Sequence, residues 1–535
     1  MKKALSIFLS AVIMLSAAVS GGLNAFAKAT YTSFETVDEP YYEYGEYPEF
    51  ETESVDAFNV KITRCFSENE EVLIPSEIDG RHVVEVGGFW SCNAKRVILP
   101  ESVKTISNGA FSGCTKLESI NLESVEKIGK SAFHAAFSLK EANLKSVKII
   151  EERAFEYCKT LTGVTLGDGV KRIGEGAFTK SGVYTKAYKS NKKALYLNGC
   201  LIRAFVSKIS GKYTVKAGTR LIADNAFEKT GSKKEKAPIT SVYVPDSVKN
   251  IGSEAFLKDS INKIRLPKKL TGLGENAFSK RYLKKRAKLE NGCYYLGKYL
   301  VSSKRYDLSV KIKKGTVLIA DGALYAVLNK KLTIPSGVKY IGEAAISGCQ
   351  RLTKVSIPAS VVSIGDNNFV NYTGYLATSC KRLKTVSVNK DNDFYASVNG
   401  VLYSKDKTEL IAYPNDKAGE SFTVPSGVKI IRHHAFAFAN NLKELKLNAG
   451  LETVGAYACG NCKLKSITIP ESVSYVGRCA FGYDFFQDEN TNGYFLIDGF
   501  KVYGKKGSAA ETYCGDRVKA LMLDDTWDYL MYPIA

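Results

Sequence analysis

The stretch ISNGAFSGCTKLESINLESV, residues 106–125, decides the architecture, because its layout recurs along the chain. An aliphatic residue opens it, Ala110-Phe111 follows, Cys114 comes three positions later, and then Leu117 and the alternating apolar pair Ile120 and Leu122. With the Phe position as marker, the copies fall at Phe89, Phe111, Phe133, Phe155, Phe178, Phe227, Phe256, Phe278, Leu324, Ile346, Phe369, Phe436, Cys459 and Phe481. Nine of the thirteen successive spacings are 22 or 23 residues, so one structural unit is repeated in register.

A unit of that length with a single short apolar alternation points to a leucine-rich-repeat solenoid. Pairs such as Val164-Thr165-Leu166 and Ile467-Thr468-Ile469 have the two-residue period of a strand that turns its apolar side chains inward. The expected fold is a right-handed coil with one parallel β-sheet on one face. Short turns, 3-10 or helical segments return the chain on the other, where Ala permits close approach and Phe fills the space between coils. Proline at 100, 245, 267, 335, 358 and 470 suits strand exits, since it cannot continue the hydrogen-bond ladder. One coil cannot bury its own apolar face, so stability must come from stacking.

Three long gaps each contain a hairpin signal, at Asn198-Gly199, Gly297-Lys298 and Asn399-Gly400. They read as β-hairpin insertions near 194–205, 293–304 and 394–414 in one continuous array over 57–481, followed by a capping unit at 482–520 and a tail at 521–535. Lys2 and Lys3, the apolar run Ala4–Val19 and the Ala25-Phe26-Ala27 site predict a signal peptide over 1–27. Residues 28–56 carry Lys28 against nine acids, a net of −8, and read as a disordered Tyr-rich leader. Without that segment and the two signal lysines, the overall +20 becomes +26 for residues 57–535.

Several stretches resemble the BspA-like, or type-5, leucine-rich-repeat family of bacterial surface and secreted proteins: Ile173-Gly174-Glu175-Gly176-Ala177-Phe178, residues 341–349 and the hairpin 399–406. The resemblance covers about residues 58 to 520. It implies adhesion or binding of host or neighbouring-cell proteins and matrices, and it supplies no catalytic residue to carry over.

Twelve cysteines in an exported chain raise the question of disulfides. Cys92, Cys114, Cys158, Cys349 and Cys462 share one repeat position, which predicts buried thiols acting as small hydrophobes. Both cysteines of Cys459-Gly460-Asn461-Cys462 fall on repeat positions, which disfavours a redox role. A local pair among Cys65, Cys200, Cys293, Cys380 and Cys514 stays open. Adjacent His433 and His434 diverge on a strand or a helix and make a poor metal pair. Asp488-x-Asn490-x-Asn492-Gly493 begins like a calcium loop but has Gly499 where a bidentate Glu is needed, and reads as a loop before a hairpin. No catalytic, cofactor or metal site is expected.

Function is expected on the sheet, from the residues between each inward pair: Asn121, Asn143, Thr165, Tyr243, Arg265, Thr333, Ser356, Lys446 and Thr468. The reading is a secreted or cell-surface adhesion protein, not an enzyme, whose partner is a host or neighbouring-cell protein or glycan. The alternative is electrostatic attachment to an acidic polysaccharide or wall polymer. Nucleic acid is not expected as a partner of an exported chain, nor is a transmembrane segment after signal cleavage.

Overall fold

A computed structural model of the chain describes residues 49–55, 59–227, 238–258, 260–371, 378–487, 492–505 and 508–514. The segment expected to be a signal peptide, most of the acidic leader and the tail lie outside them. The described residues form a parallel β-solenoid with two strand-bearing walls, not the single sheet expected. The first wall holds the Val-x-Leu strands, such as Glu141–Leu144 beside Gly163–Leu166, with Asn143 opposite Thr165. The second wall is a ladder of two-residue strands: Thr105–Ile106, Lys127–Ile128, Ile149–Ile150 and Arg172–Ile173, each parallel to the next.

Each second-wall strand ends in a position where glycine recurs. A Cβ on Gly129 would lie 2.6 Å from the backbone of Asn108, and one on Gly174 2.5 Å from the backbone of Glu152. The turn that leaves the wall therefore nests directly on the coil before it. The chain then returns through turns stitched coil to coil by backbone hydrogen bonds: Phe111 N–H donates to Ala132 C=O at 2.7 Å and Phe133 N–H to Ala154 C=O at 2.7 Å.

Behind those bonds the Phe rings stack. Phe111, Phe133, Phe155 and Phe178 follow one another at 5.0–5.3 Å with planes within 7° of parallel, all fully buried. Burying each ring is worth roughly 1.5–3 kcal/mol, and the ring contact adds about 0.5–1.5 kcal/mol. The cysteine position is more than apolar filler. Cys158 Sγ–H donates to Phe133 C=O at 3.0 Å and Cys462 Sγ–H to Phe436 C=O at 3.0 Å, tying each coil to the one before it. In the first coil Cys92 is only half-buried, and its sulfur lies 3.1 Å from that of Cys114. Of the cysteines off the repeat position, Cys380 lies buried against Cys349, and all twelve are free thiols.

The hairpins are inserted between coils and are joined to the array by parallel pairing. The strand Cys200–Ala204 pairs antiparallel with Ala194–Leu197, and it also pairs parallel with Leu221–Ile222 of the next coil. Ala204 then takes the Phe position in the coil-to-coil ladder, its N–H donating to Ala226 C=O at 2.8 Å. In the second gap Tyr299–Ser303 pairs parallel with Leu318–Ile319; in the third Glu409–Ala412 pairs parallel with Ile430–Ile431. Helices α1 (Gly182–Lys189) and α2 (Lys280–Arg286) lead into the first two hairpins, each capped by a serine, Ser181 and Ser279.

Both ends of the array are covered. Phe50–Ser54, placed in the disordered leader by composition, is a strand antiparallel to Asn59–Cys65, and its Phe50 ring extends the Phe stack onto Phe89 at 6.4 Å. Its burial against a neighbouring strand outweighs the acidic surroundings. At the other end Lys501–Tyr503 pairs parallel with Ser466–Thr468. From a short helical segment at 509–514, Tyr513 Oη accepts from Phe481 N–H and donates to Phe481 C=O, both at 2.6 Å. The calcium-like stretch falls in a hairpin: 488–491 lie outside the described residues, between the paired strands Tyr483–Gln487 and Asn492–Leu496.

Candidate binding faces

The nine residues expected on the sheet all lie on the first wall, but the wall is broken into short sheets; six of them meet in three pairs, and Asn121, Lys446 and Thr468 stand opposite none of the others. Several are committed to the array itself. The Asn121 carboxamide accepts from Leu99 N–H at 2.7 Å and donates to Leu99 C=O at 2.9 Å, extending the ladder beyond Ser119–Ile120. Asn143 is half-buried and donates to Glu123 at 3.1 Å, while Lys446 pairs with Glu444 at 3.2 Å. Ser356, in register with Thr333, accepts from the Ser387 hydroxyl at 3.2 Å. Thr165, Thr333 and Thr468 are exposed.

Tyr243 and Arg265 stand opposite each other in parallel register. The guanidinium lies 4.7 Å from the centre of the Tyr243 ring and grips Asp246 with two hydrogen bonds of 3.0 Å, while also donating to Val244 C=O at 2.9 Å. The Arg265 hydrogen bonds, with one from Lys268 N–H, hold the Asp246 carboxyl below the usual carboxylate range. Tyr243 remains 46 % exposed. An aromatic face and a planar cation are thus presented in one fixed arrangement. Tyr503, half exposed and opposite Thr468, extends the row where the sequence marks only a cap.

The second wall encloses a cavity of about 470 Å³, lined by Lys127, Glu151 and Arg172 from early coils and by Glu343, Asp366 and His433 from later ones. Its charges largely satisfy one another. Arg172 bonds Asp224 at 3.0 Å and lies 3.5 Å from Glu151, and Arg432 lies 2.6 Å from Glu409. Burial pushes the carboxyl of Asp321 up to about 7 and raises those of Asp224 and Glu343. Burial also lowers both histidines, His434 to about 3, and His433 Nδ1 accepts from Ala456 N–H at 3.0 Å. Two neutral imidazoles and paired charges make this a wall feature with little left to offer a ligand. The thiols of Cys459 and Cys462 are buried, and burial holds Cys459 well above the ordinary thiol range, the reverse of what a redox pair needs.

A family model described as the BspA type leucine rich repeat region matches in six copies, over residues 83–198, 220–326, 287–399 and 412–488. No curated protein matches the chain. Among solved structures, a leucine rich repeat protein of T. pallidum is 27% identical, covering 44% of this chain and 87% of its own with a TM-score of 0.27. A leucine rich cell surface protein of Faecalibacterium prausnitzii is 18% identical, covering 83% of this chain and 85% of its own at 0.22. The pneumococcal vaccine antigen PcpA is 16% identical, covering 85% and 86% at 0.23.

Proposed function

Because the chain belongs to the BspA-type leucine-rich-repeat family, we propose that it is an exported, surface-associated binding protein that recognises a protein or glycan through the first wall, centred on Tyr243 and Arg265. The observation that carries this reading is the exposed Tyr243 ring under a guanidinium already fixed by Asp246. Tyr and Arg are the residue types on which interface energy concentrates, and a side chain ordered before binding loses less entropy when it binds. The adhesive associations of the family agree with it, and the apolar segment at the N-terminus supports export.

A pull-down of epithelial glycoproteins and wall polymers, run at low and high salt, tests this. Retention of at least one partner should survive high salt and fall about tenfold or more when Tyr243 and Arg265 are both replaced by Ala, given that such anchors are worth about 2 kcal/mol or more. Retention unaffected by the double substitution would rule the face out.

A second reading, electrostatic attachment to an acidic polymer, is supported by where the charge sits. Residues 260–314 hold sixteen Lys and Arg against Glu275, Glu290 and Asp307, a net of +13 out of the chain's +20. Attachment of that kind is screened by salt, which separates it from the first.

A further inference from the structure

At several places in the array an exposed lysine is neutralised by a carboxylate one coil away. Lys140 lies 2.5 Å from Glu118, Lys148 2.5 Å from Glu126, Lys429 2.8 Å from Glu452 and Lys443 2.5 Å from Glu420. In the middle of the array, cations without such partners converge on one groove. Between the strand Lys263–Arg265, helix α2 and the turn Leu296–Tyr299 lies an open groove of about 430 Å³, whose charged lining is Lys263, Lys268, Arg286 and Lys298, with no carboxylate. Among the described residues, none of these four has an acidic partner within salt-bridge distance; the ion pairs nearby belong to Arg265, Lys288 and Lys313.

The groove is built before anything enters it. Tyr299 Oη donates to Pro267 C=O at 2.7 Å and accepts from Leu270 N–H at 3.3 Å, fixing the turn to the strand exit. Arg286 Nε donates to Asn262 C=O at 2.7 Å, fixing the end of α2 to the strand. Its aromatic side chains, Tyr282 and Tyr299, are 5 % and 3 % exposed, so neither offers a ring face on which a sugar could stack. What remains is a trough with four like charges along it and apolar side chains, Ile264, Leu266 and Leu296, beneath. Like charges set side by side without counter-charges oppose folding, and they attract a chain of opposite charge.

We propose that this groove is the docking site for a linear phosphodiester polymer. Three of the four cations are lysines, compact point charges with three donors each that can meet a singly charged phosphate without a fixed fork geometry. Further cations at Lys269, Lys280, Lys284 and Lys285 continue the positive surface along the strand exit and α2, so successive phosphates of one chain find partners. The proposal rests on the second reading above and locates it.

The test uses the full mature chain and delipidated poly(glycerol phosphate), with heparin and polyglutamate as sulfate and carboxylate arms. The variant Lys263→Gln/Lys268→Gln/Lys298→Gln is compared with a charge-matched control, Lys116→Gln/Lys354→Gln/Lys463→Gln, whose lysines are exposed elsewhere; unchanged melting temperatures verify folding. The groove variant should lose about tenfold or more in affinity at low salt. Its slope of log affinity against log salt should fall by about 2, as three fewer released counterions dictate. The control should keep both. If the wild type binds none of the three polymers, the electrostatic reading itself fails. If it binds but the two variants weaken equally, the groove assignment fails alone; binding of heparin without poly(glycerol phosphate) overturns the phosphodiester.

Discussion

Asp321 shows how a single side chain in the stack couples to pH. Its carboxylate accepts from Glu343 N–H at 2.9 Å, yet burial raises its pKa to about 7, with Glu343 and Asp224 adding like charge and Arg172 opposing it. A carboxyl whose folded pKa lies above its unfolded one binds more protons when folded, so its cost grows as pH rises from about 4 through 7. Asp321→Asn keeps the acceptor and removes the charge. It should raise stability at pH 8 on the order of 1 kcal/mol, after allowance for partial solvent access, and the gain should vanish below about pH 4. Thermal melts at both pH values check it; an equal effect at each would show that charge is not the cause. Commitments of this kind are not legible in sequence. Asn121 reads as a free polar group on a sheet, but its amide is spent on Leu99, a residue 22 positions away that only stacking brings near.

At the scale of the element, legibility follows period. The Val-x-Leu strands and the Phe marker announce themselves because alternation and a 22-residue recurrence both survive in the text. The second wall does not, since two residues such as Lys127–Ile128 are too few to alternate, and their pairing depends wholly on the coil above and below. The same holds for the first two hairpins, whose Asn-Gly and Gly-Lys turns are visible but whose second strands gain their meaning from parallel partners in the next coil. The groove is hidden likewise, its cations being drawn from a strand, a helix and a turn. The recurrent Ile-Gly step is the readable trace of the second wall. Gly174→Ala would set a methyl 2.5 Å from the Glu152 backbone, whereas Gly169→Ala meets nothing within 4 Å. The first should cost about 1–3 kcal/mol by forced overpacking and the second almost nothing, as denaturant unfolding can measure.

For the whole molecule, a stack of like coils raises the question of what stops it. Each coil offers its neighbour the same row of amides and carbonyls, so the last of them would be a template for the first coil of another copy. Tyr513 occupies that place with one hydroxyl, answering both the amide and the carbonyl of Phe481. A phenyl ring in its stead would leave the stack's size and apolar surface almost unchanged, still covering both groups but pairing with neither. Tyr513→Phe should therefore cost about 1–3 kcal/mol, the penalty of buried backbone groups left without a partner. Denaturant unfolding measures it, and an unchanged stability would show that the terminus is held by something else. Seen this way the hydroxyl of one tyrosine finishes a ladder that the coils by themselves would leave open.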